Sequence, residues 1–201
     1  PNPSPLPLRG QQNQHMTALL NSEDTGIQAP KAQKEYIRFD PFPSDGQQIL
    51  TIVAFNTIPD YVNPFADEPN PAPYPAVEFI YGTETEAGPR FVKANPIKRS
   101  IHEKATFTAI YKAATGKLPV AGAKSADLIG KGVVANVTNE NKVSKKGTAY
   151  VRTTIKDIAA VHPKLVKEIV PLDKLKPAFE AALAKSSEKA DAKDDSANAP
   201  F

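Results

Sequence analysis

The sequence predicts a mainly β fold, a small barrel of five strands with one helix between the third and the fourth, and two observations carry that prediction. Short runs rich in Val, Ile, Thr and aromatic residues recur between residues 36 and 155, separated by Pro-, Gly- and Asp-containing turns. A single stretch with helical spacing, Ser100 to Thr115, interrupts them. At 201 residues and 40% apolar composition the chain has room for one domain with a real core plus tails. Its 20 prolines, about twice ordinary usage, mark segments outside that core.

Residues 1–34 are expected to be disordered, because PNPSPLPLRGQQNQ and the twenty residues after it bury too little apolar surface to offset ordering entropy. Residues 1–15 read either as natural sequence or as a vector-derived remnant ahead of a natural start at Met16, the one methionine, and His15 is no ligand under either reading. The folded domain is placed at 35–163. Its first strand material is Tyr36–Phe39 and Ile49–Phe55, joined through FDPFPSDGQQ; ILTIVAF is apolar on both faces, as in a strand that is covered twice or curls around a barrel. The insertion 59–75 has six prolines from Pro59 to Pro75, which excludes helix and central strand. Its rings Tyr61, Phe65 and Tyr74 either pack on the barrel, the favoured reading, or stack on bases.

Val77–Tyr81 and Arg90–Ala94 form the next pair. Lys93 is the residue of FVKAN least suited to a core, so Phe91 is expected beside it on the exposed face, flanked by Arg90, with Val92 and Ala94 inside. The reverse register makes Phe91 core. Ser100-Ile-His-Glu103 has the spacing of a capping box, and Phe107, Ile110, Tyr111 and Ala114 share one face of the ensuing helix, which Gly116 stops. Val133–Thr138 and Ala149–Ile155 then flank a polar loop as a long hairpin. With Val151 and Ile155 facing the core, the period of two puts Tyr150, Arg152, Thr154 and Lys156 on the other face, and Lys142, Lys145 and Lys146 extend that surface. The alternative is a solubilising edge hairpin. Residues 164–185 are expected to be a short helical extension broken by Pro171, with Pro177 at a first turn. Phe179, Ala182 and Leu183 make a stripe for the barrel or a second subunit, which leaves homo-oligomerisation open. Residues 186–201 read as a disordered acidic tail.

The net charge of +3 conceals segregation: residues 60–88 hold six acids and no base, 89–167 sixteen bases against four acids, and 168–201 five bases against seven acids. A polyanion-binding face with acidic appendages has this distribution. The chain has no cysteine and three scattered histidines, with no phosphate-cradling glycine loop or spaced acidic motif. The expectation is therefore a non-enzyme with no cofactor and no metal. No apolar run approaches the roughly 18 residues of a membrane helix, so no membrane association is expected and the compartment is read as cytoplasm.

Five strands with a helix between the third and fourth is the order of the OB-fold, a Greek-key barrel that binds oligonucleotides on its strand 2 and 3 face, between the loops joining strands 1–2 and 4–5. The runs NPIKRSIHEKATFTAIYKAATG, SADLIGKGVVANVTNE and KKGTAYVRTTIKDIAAVHP resemble a family of tailed-bacteriophage single-stranded DNA-binding proteins with an OB-fold. The resemblance covers about residues 36–163 and is strongest over 95–163. It implies sequence-independent binding of single-stranded DNA in phage DNA replication or recombination, within a bacterial host cell. The contacts expected are Arg90, Phe91, Lys93, Lys98, Arg99, Lys142, Lys145, Lys146, Tyr150 and Arg152. The ending Asp194-Asp195-Ser-Ala-Asn-Ala-Pro200-Phe201 is similar to the acidic tip of bacterial single-stranded DNA-binding proteins, which implies recruitment of replication or recombination proteins through Asp194, Asp195, Pro200 and Phe201. An RNA- or duplex-binding OB module, and an adaptor whose basic face meets an acidic protein, are the alternatives.

Overall fold

A computed structural model describes residues 39–64, 66, 71–144 and 147–194, with side chains of the last helix described to Lys185. In chain order come β1 (Gly46–Tyr61), β2 (Tyr74–Thr85), β3 (Gly88–Lys93), a two-residue β4 (Ile97–Lys98), α1 (Thr106–Thr115), β5 (Gly132–Val143), β6 (Ala149–Ala159) and α2 (Leu172–Asp194). The sheet order is β3-β2-β1-β5-β6, with β4 added to β2, and each pairing is antiparallel. The short β4 aside, this is the strand order of an OB-fold, curled into a nearly closed barrel with α1 between the third and fourth long strands. Among the described residues no helix is long and apolar enough to cross a membrane.

Strand β1 explains the layering. Leu50, Ile52 and Phe55 point into the barrel with Val77, Phe79, Tyr81, Val92 and Val133, and α1 closes that interior with Phe107 and Ile110. A bulge between Ile52 and Ala54 turns both Val53 and Ala54 to the opposite, outer face, where they join Ile80 and Phe91. That outer face would be an apolar patch in water. Helix α2 lies on it instead, burying Leu175 and Phe179 and half-burying Leu172, Ala178, Ala182 and Leu183. The two fully buried side chains stabilise this docking by roughly 1.5–3 kcal/mol each. A six-residue 3-10 helix, Pro163–Glu168, leads into α2, and Thr51 Oγ1 donates to the Val170 carbonyl at 2.6 Å. Gly132 makes room for Ile169: a Cβ there would lie 2.4 Å from its Cδ1.

The segment before β1 acts as a strap. The Phe39 ring meets Phe91 at 5.7 Å and Phe179 at 6.1 Å between centroids on the outer face, whereas Phe42 enters the barrel interior. The Phe42 N–H donates to Thr153 Oγ1 (3.4 Å), Asn139 Nδ2 donates to the Phe42 carbonyl (2.9 Å), and Thr153 Oγ1 donates to Asn139 Oδ1 (2.7 Å). This network fixes the base of the β5–β6 hairpin. Beyond it the paired strands project as an arm.

Several expectations need correction. Helix α1 starts at Thr106, not at Ser100, with no side-chain cap. Ser100 Oγ accepts from the His102 N–H at 3.2 Å and His102 Nδ1 from the Lys104 N–H at 3.3 Å, so successive local turns use the groups that a capping box would have used. Gly116 does end the helix in the left-handed region at φ 73°. Val151 is 42% exposed because it lies on the arm beyond Thr153, while Ile155 packs against the core. Phe39 precedes β1 without joining a strand, and residues 36–38 lie outside the described residues. The C-terminal extension does break at Pro171, between the 3-10 helix Pro163–Glu168 and α2, but α2 carries Pro177 beyond its first turn and runs to Asp194, past the expected boundary at 185. Pro177 is exposed, so the helix carbonyl that loses its donor can be hydrated.

Gly82 permits another close approach on the outer face, since a Cβ there would lie 2.7 Å and 2.8 Å from Phe91 Cδ1 and Cε1. Gly82→Ala is expected to destabilise the protein by about 1–3 kcal/mol through overpacking, read as a lower urea midpoint at unchanged m-value. An unchanged midpoint would mean that the Phe91 ring is free to move aside.

Candidate nucleic-acid interface

The pairing of β5 with β6 sets the arm's chemistry. Glu140 pairs with Arg152 and Lys142 with Tyr150, and Asn136 with Lys156, so these residues share the outward face, with Asn141, Val143, Ala149 and Val151 on the other. Lys142 Nζ lies 3.0 Å from Glu140 Oε2. The Glu140 carboxyl is held below its usual range, first by the hydrogen bond from Lys142, then by the charge of Lys142, with Lys156 and Arg152 adding to it. One carboxylate thus sits among three cations, and the face remains net positive.

Arg152 joins the arm to the barrel. Its Nη2 donates to Asn95 Oδ1, just past the end of β3, at 2.8 Å. Among the described residues no ladder pairs β3 with β6, so this side-chain bond spans the barrel's seam. On the outer face of the neighbouring strands, Lys93 Nζ meets Glu78 Oε1 at 3.3 Å. Next to them Lys98, paired with Ala76, places its Nζ 5.6 Å from the centroid of the Tyr74 ring. Tyr74 makes an edge contact with Tyr61, its partner across the β1–β2 ladder, at 5.5 Å. An open cleft of about 290 Å³ continues from Lys98 past Ser100, His102 and Lys104 to Thr106 at the start of α1. Cations and half-exposed rings therefore run from the arm across the end of β3 to the ends of β1 and β2, the chemistry that phosphates and unpaired bases complement.

The expected contacts divide accordingly. Lys93, Lys98, Lys142, Tyr150 and Arg152 lie on this outer surface. Phe91 is on the outward face of β3, as its alternation with Val92 requires, but α2 covers it and leaves it 3% exposed; it offers no platform in this arrangement. Arg90 is a correction of side: paired with Thr83 and two residues from Val92, it takes the barrel-interior parity at the far end of β3, where its Nη1 donates to the Pro89 carbonyl at 3.0 Å. Arg99 is also corrected. It is 8% exposed because its N–H donates to the Pro75 carbonyl and its position alternates inward from Lys98. Lys145, Lys146, Phe65, Asp195, Pro200 and Phe201 lie outside the described residues, and the Asp194 side chain is likewise not described.

Asn95, Lys104 and Lys156 were missing from the expected contacts. The period of two already placed Lys156 beside Arg152, whereas Asn95 and Lys104 carry no local signal. Tyr61 and Tyr74 pack on one another, with Lys98 over the Tyr74 ring, at the mouth of the Pro-rich connection. No family model matches the chain, and no curated protein or solved structure is significantly similar to it.

A depressed carboxyl pKa stabilises the folded state above the ordinary carboxylate pKa, and that contribution is lost as pH falls through the depressed value. Carboxyl-detected NMR titration is expected to give Glu140 a midpoint below that of a free glutamate, and Lys142→Ala should raise it. A midpoint insensitive to Lys142 would remove the ion pair as its cause.

Proposed function

We propose that this protein binds single-stranded DNA without regard to sequence, through the outward face of the β5–β6 arm and the Lys98–Tyr74–Tyr61 surface beside it. The observation that carries the reading is the junction at Asn95, where Arg152 brings a cationic, tyrosine-bearing arm against the outer sheet of an OB barrel. The strand 4–5 and strand 1–2 connections of such a barrel flank its oligonucleotide groove, and here the arm and the Pro-rich connection occupy those places. Lys142, Arg152, Lys156, Lys98 and Lys93 neutralise phosphates and release counterions, while Tyr150 and Tyr74 offer rings whose stacking tolerates any base. Phage DNA replication or recombination is the setting implied by the resemblance of residues 95–163. The C-terminal tip from Asp194 to Phe201 is assigned to recruiting a replication or recombination protein, on its sequence alone.

The test is fluorescence anisotropy with a labelled 30-mer single strand, the matched duplex and the matched RNA, each across a salt series. The single strand is expected to bind best, with log-linear weakening as salt rises. Lys142→Ala with Arg152→Ala should weaken binding evenly across sequences and reduce the salt slope by about 1.4, or roughly 0.7 for each phosphate contact removed. Tyr150→Ala should cost about 1–3 kcal/mol of affinity. Glu140→Gln should tighten binding, since it removes an anion that lies among the three cations. Preference for duplex or RNA would replace the proposed ligand, and absence of all binding at low salt would make the basic face a protein-docking surface.

A further inference from the structure

We infer that helix α2 is a displaceable cover and that the sheet face beneath it, centred on Phe91, is a second base-stacking platform; this rests on the nucleic-acid reading above. A Cβ built at Gly82 would fall 2.7–2.8 Å from two carbons of the Phe91 ring, so that ring lies across β2 directly over the glycine. A ring seated on a sheet in this way turns its second face outward, the geometry by which exposed aromatic residues receive bases. In the closed arrangement the Phe91 ring is met by two rings from outside the barrel, Phe179 at 5.4 Å and 56° and Phe39 at 5.7 Å and 52°. Both contacts are tilted rather than stacked, so they cover the platform without reproducing the parallel stack that a base would form.

The attachment of α2 suits a cover. Its buried anchors are Leu175 and Phe179, with Pro177 between them removing a backbone donor from the helix. The polar tie at this end of the extension, Thr51 to Val170 at 2.6 Å, and the seat of Ile169 over Gly132 come before the helix begins. The helix can therefore leave the sheet while residues 169 and 170 stay anchored. Displacement would also extend the existing surface rather than open a separate one, because Lys93 lies on the same face of β3 as Phe91, two residues closer to Asn95 and the arm. A nucleic acid long enough to pass the arm meets the edge of the cover, and a binding-competent fraction below one lowers the apparent affinity by that fraction.

The experiment uses the full chain and labelled oligo-dT of 30 nucleotides. The sequence contains no tryptophan, so Phe179→Trp reports on the cover alone. Its emission is expected to shift to the red as oligo-dT saturates the protein. Phe179→Ala should bind about tenfold more tightly than the wild-type chain, and the gain should vanish in Phe91→Ala/Phe179→Ala. A tryptophan emission unchanged at saturation, with binding still dependent on Lys142 and Arg152, would overturn the cover and leave the proposed function standing. A gain that survives loss of Phe91 would overturn the platform. Failure of every form to bind oligo-dT would overturn both.

Discussion

The two-sided burial of β1 is the constraint on which the rest of the architecture depends. A strand with Leu50, Ile52 and Phe55 on one face and Val53 and Ala54 on the other has no side to give to water. The barrel and α1 satisfy the first face, and only a segment from outside the barrel can satisfy the second. Helix α2 and Phe39 do so. This double cover leaves no exposed ring at the centre of the β2–β3 face, where an OB-fold receives its ligand, and the exposed cations and rings lie towards the arm and the ends of the strands.

The electrostatics obey the same geometry. The chain's segregated charge becomes spatial because the long β5–β6 ladder carries its cations on one face, and because Lys93 and Lys98 occupy the outer face of β3 and β4. Exposed pairs such as Lys142 with Glu140 add little to stability. Their effect is on position: the carboxylate holds a lysine close to the sheet without cancelling the field of Arg152 and Lys156. The polar network of Phe42, Asn139 and Thr153 sets where the barrel stops and the arm begins.

The five long strands, their order along the chain, the end of α1 at Gly116 and the cationic face of the arm were legible in the sequence, because each depends on local periodicity or a turn residue. ILTIVAF also announced a twice-covered strand. The identity of its cover was not legible, since the stripe Phe179, Ala182, Leu183 fits any apolar surface and does not name one. The misplacement of Phe91 and Arg99 has the same origin, whereas the inward parity of Arg90 follows from that of Val92 two residues on. Alternation assigns Phe91 to the outer face, but only tertiary packing decides whether that face meets water, and the inward turn of Arg99 depends on β4 pairing with a strand some twenty residues earlier. The start of α1 was not legible because Ser100 and His102 serve turns that resemble a cap in sequence.

The Arg152–Asn95 bond bears on the entropy of recognition. A surface arginine ordinarily gives up much of its rotamer freedom when it grips a phosphate, and that loss is charged against affinity. Here one N–H of the guanidinium is already committed to a fixed acceptor across the seam, and the planar group keeps further donors in known directions. The freezing of that side chain belongs to folding. On the proposed single-stranded DNA reading, pre-organisation of this kind would give the protein a rigid reference point on the backbone while the bases alongside stay interchangeable.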